Sequence, residues 1–145
     1  MLLTQVAVTW LLVGLIWMIQ CVQYPCLRIV PTAIFAPYHQ KHVRNMTAVV
    51  VPPMLLEGGT ALGVLIQAPH LFLAWFNGGL LGLIWLVTVA IHTPIHTPIH
   101  LRLRERRSED LIQKLIWFNW IRTVAWTLRG GRVLVLLWVL YIIKY

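Results

Sequence analysis

The chain has 145 residues, of which 59% are hydrophobic and only 11% are charged, with a mean hydropathy of +0.77. A soluble domain carries about 25% charged residues, so this composition excludes an ordinary soluble enzyme or binding domain. The sequence instead predicts an all-α integral membrane protein. We expect a single transmembrane domain over residues 1–145, built as a four-helix bundle with an interfacial segment after helix one.

Four apolar runs predict four membrane spans, at about residues 3–24, 46–68, 71–91 and 116–143. The first run has no basic leading region and no small-residue cleavage site, so we interpret it as a span rather than a signal peptide. The apolar part of the last run, 133–143, is too short to cross a bilayer alone. That span must therefore reach back past Gly130 and Gly131, which puts Arg129 at membrane depth.

The net charge of +8 is unevenly distributed and indicates a topology rather than a nucleic-acid partner. The N-terminus and the second connection contain no Lys or Arg, and the C-terminus contains only Lys144. The positive-inside bias therefore predicts a multi-pass protein of the inner (cytoplasmic) membrane, with connections one and three cytoplasmic and both termini outside. The basic residues of those two connections are Arg28, Lys41, Arg44, Arg102, Arg104, Arg106, Arg107 and Lys114.

The first connection, residues 25–45, is long and still partly apolar. We expect it to lie as a short interfacial helix broken near Pro31 and Pro37. Tyr38, His39 and His42 cluster in it, and the two histidines are neighbours if the segment is helical because they are three residues apart.

Span two contains Glu57, the only acidic residue in any predicted span, four residues after the Pro52-Pro53 pair. We expect the two prolines to kink the helix and to free backbone carbonyls. Small residues next to Glu57 and in span three predict close helix packing, and they are Gly59, Gly63, Gly78 and Gly82.

Span three ends in the repeat IHTPIHTPIH, which interleaves three histidines with Pro94 and Pro98. Because proline interrupts a helix, we expect an irregular or extended segment here. The basic run LRLRERRSED follows as a solvated connection. Ser108 then predicts the N-terminus of the last helix, since it precedes two acidic residues.

In the last span, four side chains fall within one helical arc of about 80°: Asn119, Arg122, Trp126 and Arg129. Arginine in hydrocarbon costs several kcal/mol unless it faces protein, water or a counter-charge. We therefore expect Glu57 to face Arg122 or Arg129. Two interpretations remain open, a functional acid that relays protons or orients a ligand, and a structural ion pair that joins helices two and four.

The histidines and tryptophans suggest two further kinds of site. His39, His42 and His96, with Glu57, are ligand types for iron, copper or zinc, or for flanking a haem. The plainer alternative is that interface histidines hydrogen-bond to the backbone and to headgroups. A quinone pocket is a hypothesis for four tryptophans, which interface belts and ordinary packing would also explain: Trp117, Trp120, Trp126 and Trp138.

Several of these motifs together resemble an uncharacterised family of small bacterial four-helix membrane proteins, with a layout similar to anthrone-oxygenase-like membrane proteins. The resembling pattern is a YH..H segment, a Glu in helix two, a P.H ending helix three, and NWIRT..W..R in helix four. It implies that the polar candidates belong to one site, and an extra His-Thr-Pro-Ile leaves the choice between His96 and His100 open. The matching residues are Tyr38, His39, His42, Glu57, Pro94, His96, Asn119, Arg122, Trp126 and Arg129.

Two functions follow from these observations. In the first, a buried Glu/His/Arg site near the cytoplasmic face binds a small molecule, a metal or a redox cofactor. In the second, the protein is a non-catalytic accessory subunit that packs within a larger membrane complex or a homo-oligomer. In both, the lipid bilayer is the main partner.

Overall fold

The computed structural model describes the backbone of residues 1–91, 97–105 and 107–144, and the side chains of these residues except 87–98, 104–106, 143 and 144. Within these ranges every regular secondary-structure element is a helix, so the predicted all-α class is confirmed. The helices are α1 (Leu2–Met18), a π-helical turn (Ile19–Gln23), α2 (Tyr24–Cys26), a 3₁₀ turn (Leu27–Ile29), α3 (Thr32–Gln67), α4 (Phe72–Ile91), α5 (Thr97–Glu105) and α6 (Glu109–Lys144).

Three segments are long and apolar enough to cross a membrane, and they are Leu2–Ile29, Thr32–Gln67 and Glu109–Ile142. This finding fits a membrane helical bundle by length and composition. Helix α4 has 20 residues, but its apolar part with described side chains, Phe72–Leu86, is shorter. The count of four spans and the insertion itself therefore stay predictions.

Helix α3 corrects the predicted break near Pro37. Its 36 residues run without interruption through Pro37, Pro52 and Pro53, so no separate interfacial helix ends before Met46. The prediction was wrong because the helix loses only single hydrogen bonds at its prolines, and the buried side chains next to Pro37, Phe35 and His39, pack against neighbouring elements and stabilise it. The break predicted at Pro31 is present, where Val30 and Pro31 adopt extended ψ values of 125° and 141°.

Arg107 holds the chain at this break. The carbonyl of Val30 precedes a proline, and it accepts a hydrogen bond of 3.0 Å from Arg107 Nη1. Arg107 Nη2 donates to the carbonyl of Arg28 and also pairs with the carboxylate of Glu109. One guanidinium therefore joins the end of the first helical segment to the first turn of α6, and satisfies carbonyls that a helix end leaves without partners.

The end of the His-Thr-Pro-Ile repeat is helical rather than irregular, because α5 begins at Thr97. Pro98 lies in its first turn, where a missing N–H removes no helical bond. His92 and His96 lie outside the residues whose side chains the structure describes. As predicted, the last helix begins directly after Ser108, whose Oγ lies 3.5 Å from the backbone nitrogen of Leu111.

The buried apolar core consists of three clusters along the bundle axis. One, near the chain's N-terminus, contains Val64 and Leu136. The middle cluster contains Leu12, Ile16 and Trp126. The third lies where α2, α5 and the first turns of α6 meet, and it includes Leu27, Phe35, Leu103, Ile112 and Leu115.

Two of the four glycines predicted for close packing lie against other side chains. A Cβ added to Gly63 would collide with the Met1 sulfur, and one added to Gly78 would come within 2.7 Å of Leu65 Cδ1. Nothing lies within 4 Å of such a Cβ at Gly59 or Gly82 in the described part of the chain, so these two make no close packing contact there.

Candidate functional site

A fully buried ion pair joins all four long helices at one level of the bundle. Arg129 Nε on α6 donates to Glu57 Oε1 on α3 at 2.5 Å. Thr9 on α1 donates its hydroxyl to the same carboxylate oxygen at 3.1 Å. Arg129 Nη1 donates to Asn77 on α4, at 2.7 Å to the backbone oxygen and 3.0 Å to the side-chain oxygen.

Arg129, rather than Arg122, is the arginine that pairs with Glu57. Both side chains have no exposed surface, so each charge has lost its hydration, at an effective cost of several kcal/mol per ion. The mutual attraction and the hydrogen bonds from Thr9 and to Asn77 offset this cost. Arg129 is therefore neutralised within the chain, and the buried polar cluster is centred on it.

Asn119 forms a second polar level, closer to the N-terminal end of α6. Its Nδ2 donates to Gln20 Oε1 at 2.8 Å, and Gln20 Nε2 donates to the carbonyl of Ile116 at 3.2 Å. Both side chains are buried. Gln20 belongs to the π-helical turn of the first segment, a local widening that often occurs at functional sites.

Arg122 lies beside this second level and has a different environment from Arg129. Its Nε is buried and has no hydrogen-bond partner among the described residues. The side chain lines a cavity of about 260 Å³ that is partly open at its side. The described residues around the cavity are Ile19, Tyr24, His42, Val43, Met46, Thr47, Val50, Val51, Met54, His100 and Arg122.

The cavity has polar groups together with a long apolar wall. Met46, Val50 and Met54 repeat every four residues, so they form one stripe along α3. From His42 to Met54 the stripe extends over twelve residue steps, or about 18 Å of helix. Such a wall suits an elongated apolar group, while Arg122 offers donors to a polar one.

His39 and His100 form a directly hydrogen-bonded pair, with His39 Nε2 and His100 Nδ1 2.9 Å apart. His39 is fully buried and also stacks on Phe35, with ring centroids 5.6 Å apart. The predicted candidate Tyr38 is 39% exposed and stacks on His42 at 6.4 Å. These rings therefore form one stacked group where α3 meets α5.

Glu57 lies far from the predicted histidine ligands His39 and His42. Glu57 and His39 lie on the same helix, 18 residues or about 27 Å apart, so they cannot share one site, and this part of the prediction was wrong. No group of three His, Cys, Asp or Glu side chains with metal-binding geometry occurs among the described residues. His96 lies outside them.

The tryptophans do not form the hypothesised pocket. Trp126 is 2% exposed and packs in the middle apolar cluster, whereas Trp117, Trp120 and Trp138 are 67%, 38% and 64% exposed on the outer surface of α6. None of the four lines the cavity at Arg122 described above. Trp126, predicted as a member of the polar site, is therefore a core residue.

Sequence reasoning missed several partners of these sites. Thr9 and Gln5 on α1 are four residues apart, so they share one buried face, and this spacing was a usable signal. Asn77 could also have been predicted as a buried partner, because it is the one Asn in predicted span three. Tyr24, at the end of the first segment, lines the cavity at Arg122 and was not predicted as a site residue.

The fold and these sites together define a helical protein with apolar helices fit for a membrane bundle and with charged groups buried inside it. No protein-family model, curated protein or solved structure matches the chain. Its function is therefore argued from the geometry alone.

Proposed function

We propose that the protein is a four-span protein of the cytoplasmic membrane that binds an amphipathic small molecule in the cavity at Arg122. The ligand has an anionic or carbonyl head, held by the guanidinium, and an apolar tail that lies along the α3 stripe. Connections one and three face the cytoplasm, and both termini face out. The observation that carries this proposal is the buried, unpaired Nε of Arg122 beside an apolar cavity.

The distribution of acidic residues supports a counter-charge from outside the chain. The sequence has four acidic residues. The side chain of Glu105 lies outside the described part, and no described carboxylate lies within 4.0 Å of Arg122. Three of the four are engaged elsewhere, namely Glu57 with Arg129, Glu109 with Arg107 and Asp110 with Lys114.

A buried arginine without a counter-charge destabilises the protein. A charged side chain within the bilayer is disfavoured by several kcal/mol unless it meets protein, water or a counter-charge. A carboxylate, phosphate or carbonyl group on a bilayer-soluble molecule would supply acceptors for Arg122, and the tail would replace lipid against Met46, Val50 and Met54. Both an ordinary membrane lipid and a free amphiphile have this chemistry.

A photoreactive fatty acid with a diazirine in its chain tests the proposal on the full-length protein in nanodiscs. We expect cross-links to the α3 stripe around Met46, Val50 and Met54. Arg122→Gln should reduce them about ten- to hundredfold, because a hydrogen bond to a charged group contributes about 1.5–3 kcal/mol. Competition with unlabelled phospholipid or with free fatty acid then separates the two sources of the ligand.

Two controls make this experiment specific. Arg132→Gln removes another arginine of the same helix, one that lies over the Phe76 ring at 4.4 Å and not at the cavity, and it should leave labelling unchanged. The matching fatty alcohol keeps the tail and lacks the charge, so it should label weakly in all variants. If Arg122→Gln does not change labelling by the fatty acid, the proposed head-group site is disproved.

An accessory-subunit function is the second candidate, and one observation favours it. Gly79 and Gly82 lie exposed on α4 with no described side chain near them, which leaves a small-residue face open to another helix. Under this function, a fixed protein partner co-purifies in mild detergent, and replacing Gly79 and Gly82 by Leu releases it. Lone purification with retained labelling would favour ligand binding.

The family resemblance and the metal site are not part of this proposal. The resemblance to a bacterial four-helix family stays a prediction. Iron and copper are not included, since the described residues bring no three suitable ligands together. Haem, whose iron needs only one or two axial ligands from the protein, stays a prediction.

A further inference from the structure

We propose that the Glu57–Arg129 pair binds one internal water molecule, which bridges the two charged groups deep in the bundle. The observation is that each ion uses only part of its hydrogen-bonding capacity. Glu57 Oε2 and Arg129 Nη2 are both buried and have no hydrogen-bond partner among the described residues. A buried polar group without a partner costs about 1–3 kcal/mol, and more when it is charged.

Nη2 and Oε2 belong to two groups that are already bonded to each other. In arginine, Nη2 presents one N–H on the same edge of the guanidinium as Nε. A side-on pair would therefore join Nε to one carboxylate oxygen and Nη2 to the other. Here only the first bond is made, from Nε to Oε1 at 2.5 Å, so the carboxylate is rotated away from the two-bond arrangement. Because the two groups are in direct contact, one small molecule beside the pair can reach both Nη2 and Oε2.

The chemistry of the two atoms selects the guest. Nη2 requires an acceptor and Oε2 requires a donor, and a water molecule supplies both. A metal cation would be repelled by Arg129, and an anion would be repelled by Glu57. The cavity at Arg122 does not include Glu57 or Arg129 in its lining, so the two sites are separate.

Gln5 supplies a further argument. It is fully buried on α1, and both its amide oxygen and its amide nitrogen lack partners among the described residues. It lies one helical turn from Thr9, which already donates to Glu57. Buried waters typically make about three hydrogen bonds, and the Gln5 amide would give this water its third.

This site is independent of the proposed ligand cavity. Arg122 and Arg129 are seven residues apart on α6, or about 10 Å along its axis, and Trp126 packs between their levels. Either proposal can therefore fail without the other.

Water-edited solid-state NMR on the intact protein in deuterated lipid tests the inference. The chain has only three glutamates, Glu57, Glu105 and Glu109, so a sample labelled with ¹³C at the glutamate carboxyl gives a simple spectrum. Loss of one signal in Glu57→Gln, which preserves side-chain shape, assigns Glu57. The quantity measured is the rate at which polarisation passes from water protons to each carboxyl carbon.

We expect the Glu57 signal to build up as fast as that of exposed Glu109, even though Glu57 has no accessible surface. In a second sample labelled with ¹⁵N-arginine, the Arg129 guanidinium nitrogens, assigned with Arg129→Lys, should show the same rapid transfer. Build-up at Glu57 much slower than at Glu109 would overturn the proposal. Rapid transfer to Glu57 with none to Arg129 would also overturn it, because a bridging water must contact both.

Discussion

Replacing Glu57 by Leu should destabilise the protein strongly, and replacing Arg129 as well should recover most of the loss. Each single change leaves one fully buried charge without its partner, since both side chains have no exposed surface. Removing one member of a buried ion pair typically costs about 3–5 kcal/mol. Glu57→Leu also takes away the acceptor of the Thr9 hydroxyl.

The double variant Glu57→Leu/Arg129→Leu contains no unpaired charge. Exchanging a whole buried pair for apolar side chains is often neutral. The remaining cost is that the oxygens of Asn77 lose the Nη1 donor, which is worth about 1–3 kcal/mol. Two additive single losses would total about 6–10 kcal/mol, so we expect a coupling free energy of at least about 3 kcal/mol.

Reversible unfolding in mixed micelles, with increasing SDS and detection by circular dichroism, measures these free energies. Arg132→Leu is the matched control on the same helix. It removes only a cation–π contact at the protein surface, so it should cost no more than about 1 kcal/mol. If the double variant were as unstable as the sum of the two single variants, the ion pair would not be the source of the effect.

Two further predictions concern packing and orientation. Gly78→Val should lower the free energy of unfolding by about 1–3 kcal/mol in the same assay, because its Cβ would lie 2.7 Å from Leu65 Cδ1. Gly82→Val is the control and should be close to neutral. Equal losses of stability in the two variants would contradict the packing described. The predicted orientation can be tested with single cysteines in a chain without native cysteines. A cysteine in place of Lys41 should react with an impermeant maleimide only from the cytoplasmic side, and one in place of Lys144 only from the outer side. Labelling of both from one side would refute the predicted topology.

The sequence was sufficient to find the charged residues that matter. Glu57 is the only acid in a predicted span, and the helical spacing of Asn119, Arg122 and Arg129 puts them on one face. Such residues are costly in a membrane segment, so their presence alone indicates a buried partner. The pairing of Glu57 with an arginine was therefore predictable, but the identity of that arginine was not.

Which arginine pairs with Glu57 depends on how far α3 and α6 are shifted along each other. Periodicity gives the direction of a side chain and contains no information on that shift. The shift is set by packing, for example by Gly130, whose added Cβ would lie 3.2 Å from Val13 Cγ2 on α1. The same limitation explains why Glu57 was grouped with His39, although they are about 27 Å apart on one helix.

The prolines show a different limit of sequence rules. Proline disfavours the interior of a helix because it removes one hydrogen bond and crowds the preceding turn. Helix α3 nevertheless continues through Pro37, Pro52 and Pro53, so the packing of its buried side chains outweighs the lost bonds. Pro31 does interrupt the chain, and there Arg107 supplies the donors that the exposed carbonyls need.

The middle apolar cluster has an electrical consequence. Leu12, Ile16 and Trp126 are nearly fully buried, and they lie between the levels of Arg122 and Arg129. About 10 Å of apolar packing thus separates Arg122 from the Glu57–Arg129 pair. Inside a membrane, this packing would make the transfer of a charge between the two polar levels costly, because apolar side chains solvate a charge poorly.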